Sequence, residues 1–237
     1  MKHCSDLVGS TRVHYLLAGT EHDSTVVLLH GLGMSPSLYE DLGEELAKSH
    51  LVVIPDLNGL GDGWQIVSAL EELAEKYGWG RVDIVAHSMG GLVALRWVVV
   101  FPERFGKIVA NSIAGEKVNR SLIGWLGAAL RKNRRNFGRN KVKALQIVLS
   151  FVRNSLLHPF WMWEAFQITT QSDVVRQIKL VEVPIDLVWS DDDEYFPNCW
   201  EMRRALRQDP VIVRNAGHDW IILEPERAAS IIESLLN

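Results

Sequence analysis

Apolar residues in this chain fall into short blocks, separated by longer stretches where they recur every third or fourth position. Val13 to Leu17, Val26 to Leu29, Leu51 to Ile54, Val82 to Val85, Lys107 to Ala110, Ile185 to Trp189 and Val211 to Val213 are the blocks, several of them rich in valine and isoleucine. Runs of this length suit strands buried on both faces of a parallel sheet. Helices are predicted between them over Ser37 to Ser49, Gln65 to Tyr77, Gly90 to Val100, Cys199 to Leu206 and Glu226 to Leu236, with Gly78 and Pro102 as stops. The alternation predicts an α/β fold: a mostly parallel central sheet with helices on both faces.

The alternation breaks from about Glu116 to Gln171, where the pattern is helical throughout. Ile123, Leu126 and Leu130 keep a spacing of three and four, and so do Val142, Leu145, Leu149, Val152 and Leu156. Phe160, Trp161, Trp163 and Phe166 add aromatic bulk. The predicted organisation is a core of residues 1–115 and 172–237, interrupted by a helical lid at 116–171.

Composition narrows the class. A chain of 237 residues, 47% apolar and 23% charged, is ordinary for one α/β domain with an insertion. The net charge of −4 gives no reason to expect nucleic acid. Cys4 and Cys199 make no disulfide framework and read as free thiols. No Cys/His cluster suggests a metal. The first residues lack the apolar stretch of a signal peptide, and no uncharged apolar run approaches the ~20 residues of a membrane span. The expectation is a cytoplasmic protein.

Charge is unevenly placed. From Lys117 to Lys143 there are nine basic residues and no acidic one, leaving 16 basic against 29 acidic elsewhere, a net of −13. A solvated helix face is the plain reading. The sharper one is a docking surface for an acidic carrier protein, an anionic substrate, or anionic lipid meeting a basic amphipathic helix.

The chemistry centres on Val85-Ala86-His87-Ser88-Met89-Gly90-Gly91, between a predicted strand and a predicted helix. A serine with small residues two positions away on each side fits a nucleophile elbow, a turn that lifts the hydroxyl above the sheet. Serine needs a base within hydrogen-bond reach, commonly a histidine oriented by a carboxylate. His218 follows the last predicted strand, in Asn215-Ala216-Gly217-His218-Asp219. The acid should follow the preceding strand, where Asp191, Asp192 and Asp193 are adjacent and chemistry alone does not separate them. The N–H groups of Met89 and Leu32, the latter in His30-Gly31-Leu32-Gly33, are the candidate oxyanion donors.

These stretches resemble α/β-hydrolases across nearly the whole chain. His30 to Gly33 is similar to the HG-x-G loop, Pro55 to Gly61 to the PDLPGHG turn, Ala86 to Gly91 to GHSMGG, and Gly217-His218 to the terminal GH. Ser190 to Asp193 followed by Pro197 resembles G-x-x-D-x-x-x-P, which assigns the acid to Asp193. Ala86, Ser190, Asn58 and Gly63 depart from the pattern. Serine at position 88 excludes the subgroup with an aspartate nucleophile.

The resemblance implies a serine hydrolase, of carboxylesterase type, with Ser88, Asp193 and His218 as triad and no cofactor. His30 and Asp56 are expected to hold their loops and His87 to pack. Trp125, Trp161 and Trp163 are expected on the substrate pocket. The layout also resembles esterases of pimeloyl-acyl carrier protein methyl ester, with basic lid residues near the active-site mouth. Carbon–carbon bond hydrolysis, a lyase step, an aminopeptidase or a non-catalytic ligand receptor on the same scaffold are the alternatives.

Overall fold

The computed structural model describes residues 1–115 and 120–237; Lys117 and the first positions of the expected 116–171 insertion lie outside the described residues. Eight strands form one sheet: β1 (Lys2–Val8), β2 (Thr11–Ala18), β3 (Thr25–Leu29), β4 (Leu51–Pro55), β5 (Val82–His87), β6 (Phe105–Asn111), β7 (Ile185–Ser190) and β8 (Val211–Val213). Their order is β1-β2-β4-β3-β5-β6-β7-β8. From β4 to β8 all pairs are parallel, while β2 runs antiparallel to both β1 and β4. The mostly parallel α/β sheet expected from the sequence is therefore present.

Ten α-helices accompany the sheet among the described residues: α1 (Glu40–Leu46), α2 (Gly63–Lys76), α3 (Gly90–Val100), α4 (Leu122–Arg139), α5 (Lys141–Leu157), α6 (Pro159–Gln171), α7 (Val174–Ile178), α8 (Trp200–Leu206), α9 (Trp220–Leu223) and α10 (Pro225–Leu236). The central strands are largely apolar because successive side chains feed opposite layers; Asp83, Lys107 and Asp186, near the strand starts, are the charged exceptions. Val27, Leu29, Ile84 and Ala86 join a core with Leu70 and Trp97 from α2 and α3. Val26, Leu28 and Val85 join a second core with Leu42, Trp220 and Ile232 from α1, α9 and α10.

Three differences from the expected elements have local causes. β1 lacks an apolar block because it is an edge strand, mostly exposed, zipped to β2 from Lys2↔Leu17 to Val8↔Thr11 across a turn at Gly9, whose φ is +54°. α2 starts two residues early because Asp62 caps it. Its carboxylate accepts the Trp64 and Gln65 N–H groups at 2.9 Å, and the Gln65 side chain accepts the Asp62 N–H at 2.8 Å. The expected helix at Ser37 is a 3-10 turn, Pro36–Tyr39, that becomes α1 at Glu40.

Between β6 and β7 the chain runs through α4, α5 and α6, joined by the single residues Asn140 and His158. Asn140 caps α5, its side chain accepting the Lys143 N–H at 3.0 Å. The helical periodicity read from the sequence is present here, but its apolar stripe is not a core stripe: Ile123, Leu130, Val142, Leu149 and Leu156 are exposed. Inward contacts come from other positions, including Ala128, Lys132, Asn136, Ala144, Ile147 and Asn154.

Candidate active site

The turn between β5 and α3 carries Ser88 in the left-handed region, with φ of +53°. Such a conformation costs a non-glycine residue about 1–3 kcal/mol and persists where the surroundings enforce it. Backbone bonds do so here. Ser88 N–H donates to Asn111 O at 3.1 Å, and Ser88 O accepts from Gly91 at 3.0 Å and Ala114 at 3.1 Å. A Cβ on Gly90 would lie 2.3 Å from Leu29 O, and one on Gly91 would lie 2.3 Å from Ile113 Cγ2. The small residues are therefore required by close approach of the elbow to β3 and to the chain after β6. Ala86, where the motif has glycine, is buried between Leu29 and Ala110 on the neighbouring strands.

His218 sits after β8 and is almost fully buried. Its Nδ1 lies 2.8 Å from Asp193 Oδ2. The other Asp193 oxygen accepts the Tyr195 and Phe196 N–H groups, both at 2.8 Å. Burial pushes the Asp193 carboxyl up, but the charge and hydrogen bond of His218 outweigh it and leave the group below its ordinary value. For His218 the opposition is the same: burial lowers it, the Asp193 charge and hydrogen bond raise it, and the net direction is up. The three adjacent aspartates take separate tasks. Asp191 accepts the Asn215 and Ala216 N–H groups at 3.0 and 3.1 Å, and exposed Asp192 pairs with Arg135.

Facing the elbow is the loop His30–Gly33. Gly31 approaches so closely that a Cβ there would be 3.3 Å from Ser88 Cβ. His30 Nε2 accepts the Leu57 N–H at 2.9 Å, which leaves Nδ1–H to donate to Gly31 O at 2.9 Å. His87 is more than packing. Tyr39 donates to His87 Nδ1 at 2.6 Å, accepts the Gly31 N–H at 3.3 Å, and His87 Nε2 donates to His218 O at 3.0 Å. Burial, and then the neighbouring His218 charge, push His87 down to about 3, so it is neutral and can serve as both donor and acceptor. Tyr39 and His87 thus tie the 30–33 loop, the elbow and the His218 loop together. Leu32 follows the glycine that approaches Ser88, and Met89 follows Ser88 in the chain; neither N–H donates to another group among the described residues.

Ser88 and His218 line one cavity of about 380 Å³ beneath α4, α5 and α6. Leu32, Met34, Ile147, Phe151, Phe166 and Phe196 give it apolar walls. Trp125 lines it too, set edge-on against Phe166 and Phe196 at ring separations of 6.1 and 6.2 Å. Trp161 and Trp163, expected on the same pocket, do not line it. Trp161 donates from its indole to Gly61 O at 2.9 Å and borders a small cleft of about 30 Å³ beside Met89. Trp163 is exposed and stacks on Phe166 from outside.

The basic run is divided between two faces. Lys132 reaches inward to Asp219 Oδ2 at 2.7 Å, where Asn136 Nδ2 also donates at 2.7 Å. Arg135 pairs with Asp192 and Glu194, Arg139 with Glu224, and Lys143 with Asp41 at 2.8 Å. Arg120 donates to Glu194 O at 2.7 Å. Arg131, Arg134 and Lys141 are exposed. Asp219 is fully buried. Burial raises its carboxyl, but the Lys132 and His218 charges outweigh that and bring it to about 2. Lys132, Asn136 and Asp219 were not predictable from the sequence: a charged pair 87 residues apart carries no local signal. The ligand atoms of His87, His218 and Asp219 lie within 4.8 Å of one another, as metal ligands would. Both His87 nitrogens and one Asp219 oxygen are already engaged, so the group reads as a hydrogen-bonded cluster. No described helix is long and apolar enough to cross a membrane.

Comparison with known proteins agrees with this architecture. The pimeloyl-[acyl-carrier protein] methyl ester esterase of Nitrosomonas europaea is 24% identical over 251 aligned positions, covering 94% of this chain and 99% of the esterase. The soluble epoxide hydrolase of Corynebacterium sp. (strain C12) is 31% identical over 101 residues, 39% of this chain and 35% of that enzyme. The match thus spans about a third of the epoxide hydrolase. The crystal structure of bromoperoxidase from Bacillus anthracis superposes with a TM-score of 0.78 at 16% identity, over 99% of both chains, a likeness of fold. The sequence model of the "Alpha/beta hydrolase family" matches residues 26–231, most of the chain. The strand order, the serine turn and that match together identify the chain as a member of the alpha/beta hydrolase family.

Proposed function

We propose that the protein is a serine hydrolase that cleaves a carboxylic ester through an acyl-enzyme on Ser88. The observation that carries the reading is the buried His218–Asp193 pair at 2.8 Å, opening with Ser88 onto one apolar cavity. In this mechanism His218 takes the Ser88 proton as the oxygen attacks the ester carbonyl. The Leu32 and Met89 N–H groups bind the oxyanion. His218 then protonates the departing alcohol. A water deprotonated by the same histidine attacks the acyl group, and Ser88 recovers its proton as the acid leaves. Asp193 holds the imidazole tautomer and stabilises its cation. Helices α4–α6 act as the lid, and Trp125 meets the acyl group; Trp161 borders the separate cleft beside Met89.

The esterase relative, matched over nearly its whole length, supports ester chemistry over the epoxide hydrolysis of the relative matched over about a third of its own. The test is a panel of p-nitrophenyl esters from acetate to laurate, with Ser88→Ala as control. Hydrolysis lost in Ser88→Ala and favouring medium or long acyl chains is expected. Equal turnover by Ser88→Ala, or none by the folded native protein on any ester, overturns the reading.

A further inference from the structure

Helix α4 is amphipathic the wrong way round for a helix lying on a protein core. Lys132 is buried against Asp219, and Arg135 and Arg139 pair with Asp192 and Glu224 at the rim of the contact with the sheet domain, while Ile123, Leu126 and Leu130 face solvent. Ile123 is 81% exposed. On α5 the stripe Val142, Leu145, Leu149 and Leu156 is likewise exposed, and Phe160 follows at 90% exposure where α6 begins. Exposed apolar side chains in this number along one helical hairpin mark an interaction site.

Two further observations say what covers it. Arg131, Arg134, Lys141 and Arg153 are exposed around these stripes, and no acidic residue occurs between Lys117 and Trp163. The surface is therefore apolar and purely cationic. A second copy docking symmetrically would set these cations against their own equivalents. An acidic protein would satisfy the cations and leave the hydrocarbon stripes without a match. An anionic bilayer supplies both headgroup charge and hydrocarbon at the depth an interfacial helix reaches. The second observation is continuity with the cavity. Leu126, Phe151 and Val152 line the Ser88 cavity and are also exposed, so the apolar surface runs into its mouth.

We propose that the outer face of α4 and α5 is a docking surface for anionic membrane lipid, presenting the mouth of the Ser88 cavity to the bilayer. Binding stands independently of the hydrolase reading; that the bilayer delivers an acyl ester to Ser88 rests on it.

The test is co-sedimentation of the full chain with vesicles of phosphatidylglycerol and phosphatidylcholine, or of phosphatidylcholine alone. Binding to the anionic vesicles is expected, weakened by salt and by omission of phosphatidylglycerol. Leu130→Asp with Leu149→Asp should lower partitioning at least tenfold. Arg131→Gln and Arg134→Gln should each lower it about fivefold, and as exposed polar replacements they keep the fold. All these variants should hydrolyse a short soluble ester at the native rate. No vesicle binding by the folded native protein overturns the proposal, as does binding that the leucine and arginine variants leave undiminished. A homodimer, or capture of an acidic carrier protein, abolished by the same variants with no vesicle binding also overturns it. Vesicle binding without any ester hydrolysis would instead sink the hydrolase reading and leave the docking surface standing.

Discussion

Replacing Lys132 with methionine keeps most of the side-chain volume and removes the cation facing Asp219. That carboxylate is fully buried and would keep the Asn136 amide as its remaining side-chain donor among the described residues. Breaking a buried pair by removing one partner costs about 3–5 kcal/mol, because a charge is left uncompensated. The retained Asn136 bond places the expected loss near the lower end, about 3 kcal/mol. Linkage gives a consistent scale. A carboxyl held at about 2 instead of 3.8 contributes roughly 2.5 kcal/mol at neutral pH. Its native value lies below its unfolded value, so that stability is present above pH 3.8 and is lost as pH falls toward 2. Removing both charges in Lys132→Met/Asp219→Asn should restore stability to within ~1 kcal/mol of the native protein, since apolar or neutral replacements of buried pairs are commonly tolerated. Urea unfolding followed by tryptophan fluorescence measures all four corners of the cycle. Single variants that each cost less than about 1 kcal/mol and add without coupling would refute the buried pair.

Other consequences follow from the same geometry. His218 must be neutral to accept the serine proton and its folded value is raised, so the acid limb of kcat/KM on a soluble ester should lie above pH 6.5; a limb at or below that value contradicts the Asp193 interaction. Asp193→Asn should fold and lose about 10³–10⁴ in kcat, because the imidazole tautomer is no longer held; a loss under tenfold would remove Asp193 from the triad. Gly90→Ala should destabilise by more than ~2 kcal/mol in the same urea assay, since its Cβ would meet the Leu29 carbonyl oxygen and not a movable side chain. Trp125→Ala should shift ester preference toward longer or bulkier acyl groups on the same panel, with no shift expected from Trp163→Ala.

The central sheet was readable because strands buried on both faces are apolar at successive positions, as Val26 to Leu29 and Ile84 to Ala86 are. β1 was not, because an edge strand such as Lys2–Val8 buries too little to need an apolar pattern. Around Ser88, the candidate residues sit in turns whose small side chains are dictated by contact distances of a few ångströms, so the elbow left a trace in composition. The three aspartates after β7 could not be ranked from chemistry alone, since loop direction decides which carboxylate reaches His218. In α4 and α5 periodicity predicted helices correctly but gave no side. A stripe such as Val142, Leu145 and Leu149 reads the same whether it faces a core or solvent. The inward role of Lys132 was invisible for the converse reason: its partner Asp219 is remote in sequence and adjacent only after folding.

The most direct test of the account is labelling of the folded protein with a fluorophosphonate, followed by peptide mass spectrometry. One phosphonyl adduct on Ser88 is predicted, abolished in Ser88→Ala and strongly slowed in His218→Ala, where the serine has no base to accept its proton. A folded protein that takes up no probe, or takes it up on a residue other than Ser88, would contradict the assignment of the nucleophile.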